Sequence, residues 1–104
     1  MEKNIKINYE DEGCDTKLID SIKFDKKSKE WNDTPEWNEC FIQLEERYFN
    51  TIITALGYIY LNDIYEMFDV KWNPDNNNQC IRKPITFETE EKEDGSITIY
   101  ILYN

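Results

Sequence analysis

Between Thr34 and Leu56 the apolar side chains recur at the helical period. Trp37, Cys40, Phe41, Leu44, Tyr48, Ile52, Ala55 and Leu56 follow one another at gaps of three, one, three, four, four, three and one. This predicts a long amphipathic helix with that row turned inward. Glu36, Glu39, Gln43, Glu46 and Asn50 fall on the opposite side. Thr34 is read as a side-chain cap, Pro35 suits the first helical position, and Gly57 suits the left-handed residue that ends a helix.

The flanking stretches alternate instead. Ile5, Ile7 and Tyr9 alternate with polar residues, predicting a half-buried strand over Asn4–Tyr9. Residues 16–31 admit two readings. Leu18, Ile19 and Ile22 fit one helical turn, whereas Ile22 and Phe24 between charged neighbours fit a strand. A short strand or irregular arm is the preferred reading, followed by a solvated charge run and by Trp31 returning to the core. Past Gly57, Tyr58–Leu61 reads as a short strand, and Asn62 as the cap of a short helix whose shared face is Ile64, Met67 and Phe68. The cluster from Trp72 to Asn78 is a turn. Cys80–Arg82 is read as a brief strand, with Pro84 confining its neighbourhood to an edge. Residues 85–90 and 96–103 alternate well, and Asp94-Gly95 between them signals an antiparallel hairpin. The expected architecture is a single α+β domain over residues 1–104. A long amphipathic helix packs on a small antiparallel sheet, with a short second helix beside it.

Composition sharpens this picture. The chain has 104 residues, enough for one core without staples. Aromatics make up 14 %, more than a disordered chain carries. The formal charge is −10, of which −8 falls on residues 35–104. Such a surface repels nucleic acid and anionic membranes and attracts basic proteins. No apolar run long enough to span a membrane and no leader pattern is present, and the three cysteines are odd in number and far apart. The expectation is a reduced protein of the host cytosol, with no direct nucleic-acid or membrane binding.

Chemistry-bearing patterns are few. There is no histidine, so the usual zinc ligands and the usual base for a Ser or Cys nucleophile are missing. The three glycines are isolated and form no phosphate-cradling loop. Asp75, Asn77 and Gln79 echo a calcium loop, but Cys80 stands where its glycine belongs and Thr86 where its glutamate belongs. We expect no enzyme activity, no cofactor and no metal. The aromatic group Tyr58, Tyr60, Tyr65, Phe68 and Trp72 reads either as core and core rim or as a docking surface. The candidate partner-binding residues are acidic: Glu36, Glu39, Glu45 and Glu46 on the helix, and Glu88, Glu90, Glu91, Glu93 and Asp94 around the hairpin tip. Carboxylates about 5–6 Å apart on a helix face are comparable in spacing with backbone phosphates.

The segment Gly57-Tyr58-Ile59-Tyr60-Leu61-Asn62-Asp63-Ile64-Tyr65-Glu66 resembles a box in small proteins of phages and integrated elements of Gram-positive bacteria. In those proteins a helix precedes the glycine, a short helix follows the Leu-Asn pair and a small β region closes the chain. That order recurs here, while the Asn-rich turn and acidic hairpin depart from the usual ending. The resemblance assigns no activity to particular residues. In size, charge and implied source the chain is also similar to anti-CRISPR proteins, several of which act as DNA mimics. That similarity implies an inhibitor occupying the basic surface of a CRISPR effector nuclease. The alternatives are a homo-oligomeric structural or accessory module of a phage or conjugative element, and an immunity or antitoxin protein against a basic toxin.

Overall fold

The structure, a computed structural model, describes residues 17–71 and 78–103. The expected strand at 4–9, Trp72 and most of the Asn-rich turn lie outside the described residues. In chain order the elements are β1 (Lys17–Phe24), α1 (Pro35–Leu56), β2 (Ile59–Tyr60), α2 (Leu61–Met67), β3 (Cys80–Ile81), β4 (Ile85–Glu91) and β5 (Ile97–Tyr103). The fold is α+β. β1, β5 and β4 form an antiparallel sheet in that order, and β2 pairs with β3 in a separate two-stranded ribbon.

Alternation sets the sheet. Ile22 and Phe24 on β1 stand opposite Ile99 and Ile97, and Ile85 and Phe87 on β4 lie on the same buried face. Of the two readings of residues 16–31, the strand holds over Lys17–Phe24. Its register slips between Leu18 and Asp20, a bulge that absorbs Ile19. The hairpin turns over Lys92–Ser96, closed by Lys92 N–H donating to the Ser96 carbonyl at 2.8 Å. Gly95 takes φ 91°, as the sequence requires of that position.

The buried face of α1 differs from the expected one. It consists of Asn38, Ile42, Phe49 and Ile53, with Phe41 and Ile52 packed alongside. The row predicted to be buried is partly in water: Trp37, Cys40, Leu44, Tyr48, Ala55 and Leu56 are exposed. The two rows lie about a third of the circumference apart. Both are rich in apolar residues, and the one with Ile42, Phe49 and Ile53 fits the isoleucine-lined sheet. A polar residue, Asn38, sits in the buried row, which hides that row from a count of apolar periods. The Asn38 amide is satisfied locally. Its Oδ1 accepts the Asn32 N–H at 2.9 Å, and its Nδ2 donates to the Asn32 carbonyl at 2.6 Å.

The caps are also corrected. Thr34 makes no side-chain cap bond; its carbonyl accepts Trp37 N–H at 3.0 Å, and its own N–H donates to Asn32 Oδ1 at 2.8 Å. Asn32 thus braces the residue that precedes the helix and caps none of the helix's own N–H groups. α2 starts at Leu61, not after Asn62. The Asp63 carboxylate accepts the Tyr60 N–H at 2.9 Å, while the Leu61 and Asn62 N–H groups donate to the Gln79 carbonyl and to Asn78 Oδ1, both at 2.8 Å. Partners just ahead of β3, the strand paired with β2, therefore help fix the boundary. Gly57 ends α1 as expected, at φ 95°, with its N–H donating to the Ile53 carbonyl at 2.7 Å.

Aromatic rings knit the layers. Phe24 meets Trp31, Phe41 and Phe68 at 5.1, 5.8 and 5.3 Å, and Phe87 meets Phe68 and Phe49 at 5.8 and 6.3 Å. Each such ring or isoleucine removed from water contributes about 1.5–3 kcal/mol. α1 is anchored to β4 by polar bonds as well. Asn50 donates to the Ile85 carbonyl at 2.9 Å and accepts the Ile85 N–H at 2.8 Å, and Glu46 accepts the Phe87 N–H at 2.8 Å. These side chains complete the outer edge of an edge strand, where free backbone groups invite unwanted pairing.

Candidate protein-docking surface

Two distant stretches supply the acidic candidates, and the fold sorts them. On α1 only Glu36 stands fully in water. Glu39 is half-buried and accepts the Thr89 hydroxyl at 3.5 Å, and Glu46 is committed to the β4 backbone. Glu45 is half-buried, with its Oε1 enclosed and lacking a hydrogen-bond partner among the described residues. Burial, and secondarily the charge of Glu30, pushes the Glu45 carboxyl above its ordinary range. The helix therefore offers one free carboxylate where the sequence suggested four.

The hairpin divides likewise. Glu88 and Glu90 sit half-buried on β4, and Glu90 accepts the Tyr100 hydroxyl at 2.8 Å and the Lys92 ammonium at 3.0 Å. Those bonds, the tyrosine's first, hold its carboxyl below the usual range. Asp94 accepts the Ser96 hydroxyl at 2.6 Å and the Ser96 N–H at 2.9 Å, and pairs with Lys23 at 3.3 Å. The two Ser96 bonds lead in lowering its carboxyl to about 2. Glu91 and Glu93 are exposed.

α1 runs along β4, and the start of the helix lies beside the hairpin end of that strand. Asp33, Pro35 and Glu91 line one groove of about 240 Å³ together with Trp31 and Lys92. Glu36 and Glu93 adjoin it in the chain. Asp33 was not singled out by sequence, because its partners across the groove lie some sixty residues downstream. The charge is not unmixed: an adjoining groove of about 330 Å³ carries Lys23, Lys26 and Lys27 beside Asp25, Asp33 and Asp94.

The second exposed feature is apolar. Trp37, Leu44, Tyr48 and Leu56 stand on α1, and Tyr58 and Tyr60 continue past its end with rings 5.5 Å apart. The Arg82 guanidinium lies 5.9 Å from the Tyr58 ring centre. A groove of about 370 Å³ opens between Ile52, Leu56, Tyr60 and Met67, with Asp63 at its rim. The aromatic group thus divides: Tyr65 and Phe68 are core, whereas Tyr58 and Tyr60 reach solvent. Among the described residues no three Cys, Asp or Glu side chains gather as a metal site, and no helix is long and apolar enough to cross a membrane. No known protein family, curated protein or solved structure matches the chain.

Proposed function

We propose that this chain is a non-enzymatic binding protein whose acidic end engages a basic, nucleic-acid-binding surface of a partner protein in the cytosol. The first partner to test is a CRISPR effector nuclease. The observation that carries the reading is that Asp33, just before α1, and Glu91, on the hairpin, line one groove, with exposed Glu36 and Glu93 close to them in the chain, in a protein of net charge −10. In this reading the 22-residue helix packed on the sheet is a rigid frame that fixes the spacing of those carboxylates. Charge steers the encounter, and Trp37, exposed beside Glu36, serves as an apolar anchor. Binding of this kind weakens steeply with salt.

The test is binding of the full chain to purified CRISPR effector nucleases at low and physiological salt. The Asp33→Lys/Glu91→Lys/Glu93→Lys variant is the comparison. We expect affinity to fall by at least about tenfold in the variant and its salt dependence to flatten. Binding that ignores both salt and charge reversal would refute the reading. Capture of a basic toxin in place of a nuclease would move the same electrostatics to the immunity reading. The exposed apolar row of α1 favours a second reading, an accessory module that works as a homo-oligomer.

A further inference from the structure

α1 holds a row of large apolar side chains in water. Trp37 is 56 %, Leu44 52 % and Tyr48 49 % exposed, with half-buried Phe41 between them. Contiguous apolar surface of this kind on a small protein marks an interaction site. Two features identify what covers it.

The first is spacing. Trp37, Phe41, Leu44 and Tyr48 are separated by four, three and four residues, a pattern that reads the same in both directions. A two-fold axis crossing the helix between Ile42 and Gln43 carries Trp37 onto Tyr48 and Phe41 onto Leu44. Self-complementarity of this sort is what an isologous interface demands. Alternating steps of four and three are also the seam spacing of paired helices.

The second is charge. Arg47 is the lone base of α1, and Glu36 lies three turns before it on the same flank of the row. Both side chains are exposed, and neither takes part in an ion pair among the described residues. In an antiparallel pair related by a two-fold axis, like flanks meet. The axis above sets each Arg47 two residues, or about 3 Å along the helix, from the second copy's Glu36.

We infer that α1 is the interface of an antiparallel homodimer, seamed by Trp37, Phe41, Leu44 and Tyr48 and flanked by two symmetric Glu36–Arg47 ion pairs. The dimer sets the two acidic ends about 20 Å apart along the helix pair. The dimer rests on the homo-oligomer reading above and takes Glu36 and Trp37 away from the acidic docking surface, and its salt dependence has the opposite sign to that of acidic–basic binding. Two chains of charge −10 repel at long range, so added salt tightens the pair, whereas it loosens an acidic–basic complex.

Sedimentation equilibrium of the full chain over about a hundredfold range of concentration tests this. The mass should climb from 12.6 kDa towards twice that value, at lower concentration in physiological than in low salt. Leu44→Glu should leave a monomer. Glu36→Arg and Arg47→Glu should each weaken association by at least about tenfold, because each turns two attractions into repulsions. The double variant should recover wild-type association to within about threefold, since it rebuilds both pairs with signs exchanged. All these positions are exposed within one chain, and circular dichroism checks that the fold persists. A mass of 12.6 kDa throughout, or a dimer that the single swaps leave unchanged or the double swap fails to restore, overturns the inference.

Discussion

Asn38 shows how much one polar side chain can hold. It is 1 % exposed, at the N-terminal end of the helix face that meets the core, and both ends of its amide are satisfied by the Asn32 backbone. Replacing it with Ala removes both bonds to the exposed Asn32 backbone, at about 0.5–1.5 kcal/mol each. Thr34, the sequence's choice for the cap, spends no side-chain bond there, so Thr34→Ala should change stability by less than about 0.5 kcal/mol. Urea unfolding of the two variants separates them. Glu45 makes the opposite case. Its carboxyl is raised, so the folded chain favours the protonated form, and the cost of ionising it appears as pH climbs above the ordinary carboxyl range. Glu45→Gln should therefore stabilise the protein at pH 7 and be indistinguishable from wild type near pH 4, as read from urea midpoints at the two pH values. None of these roles was legible in the residues alone. The partner of Asn38 is the backbone of Asn32, reached through a bend that residue types do not announce, and those of Glu45 and Glu46 are a charge and a backbone group that only the tertiary fold brings near.

At the scale of elements, what was legible is what local physics dictates. Gly57 illustrates it: a helix of this length needs a left-handed exit, and glycine supplies it. A Cβ at Gly57 would touch nothing within 4 Å, so Gly57→Ala carries only backbone strain, about 1 kcal/mol by urea unfolding. The hairpin was legible for the same reason, since alternation and Asp94-Gly95 specify both strands and the turn. Its turn also carries a pH signature. Asp94 is depressed to about 2, so the stability it lends is whole above the ordinary aspartate range and drains away as pH falls through that range towards 2. Asp94→Asn should lower the urea midpoint at pH 7, and that gap should close as the pH is lowered to about 2. What was not legible was the rotation of α1. Two apolar rows compete on that helix, and choosing between them requires knowing which one faces Phe87 and Ile99. The start of α2 was not legible either, because its first N–H groups are met by Asn78 and Gln79, more than fifteen residues downstream.

At the scale of the whole molecule, the ring cluster and the surface charge pull in opposite directions. Phe24, Phe68 and Phe87 join the sheet to both helices, while a net charge of −10 resists compaction. The acid excess was legible from composition; which acids remain free was not, since α1 and β4 bury or pair most of the suggested ones. The ion pairs among the described residues offer little relief. Lys23–Asp94 and Lys29–Asp69, at 3.3 and 3.9 Å, involve exposed lysines, and Lys92–Glu90, at 3.0 Å, bridges neighbours on one hairpin. Exposed pairs of this kind contribute about 0–1 kcal/mol and are themselves screened. Self-repulsion, by contrast, sums over every pair of like charges within a screening length, which shrinks from about 30 Å at 0.01 M to about 8 Å at 0.15 M salt. The molecule measures 34 × 30 × 27 Å, so at low salt nearly all its carboxylates feel one another and at physiological salt few do. Raising NaCl across that range at a fixed low protein concentration, where association is negligible, should therefore raise the urea midpoint. Glu91→Gln/Glu93→Gln should raise it at low salt and matter less at high salt. A midpoint that falls with salt would mean that the local pairs outweigh the collective repulsion, and the acidic end would then be a neutralised surface rather than a displayed one.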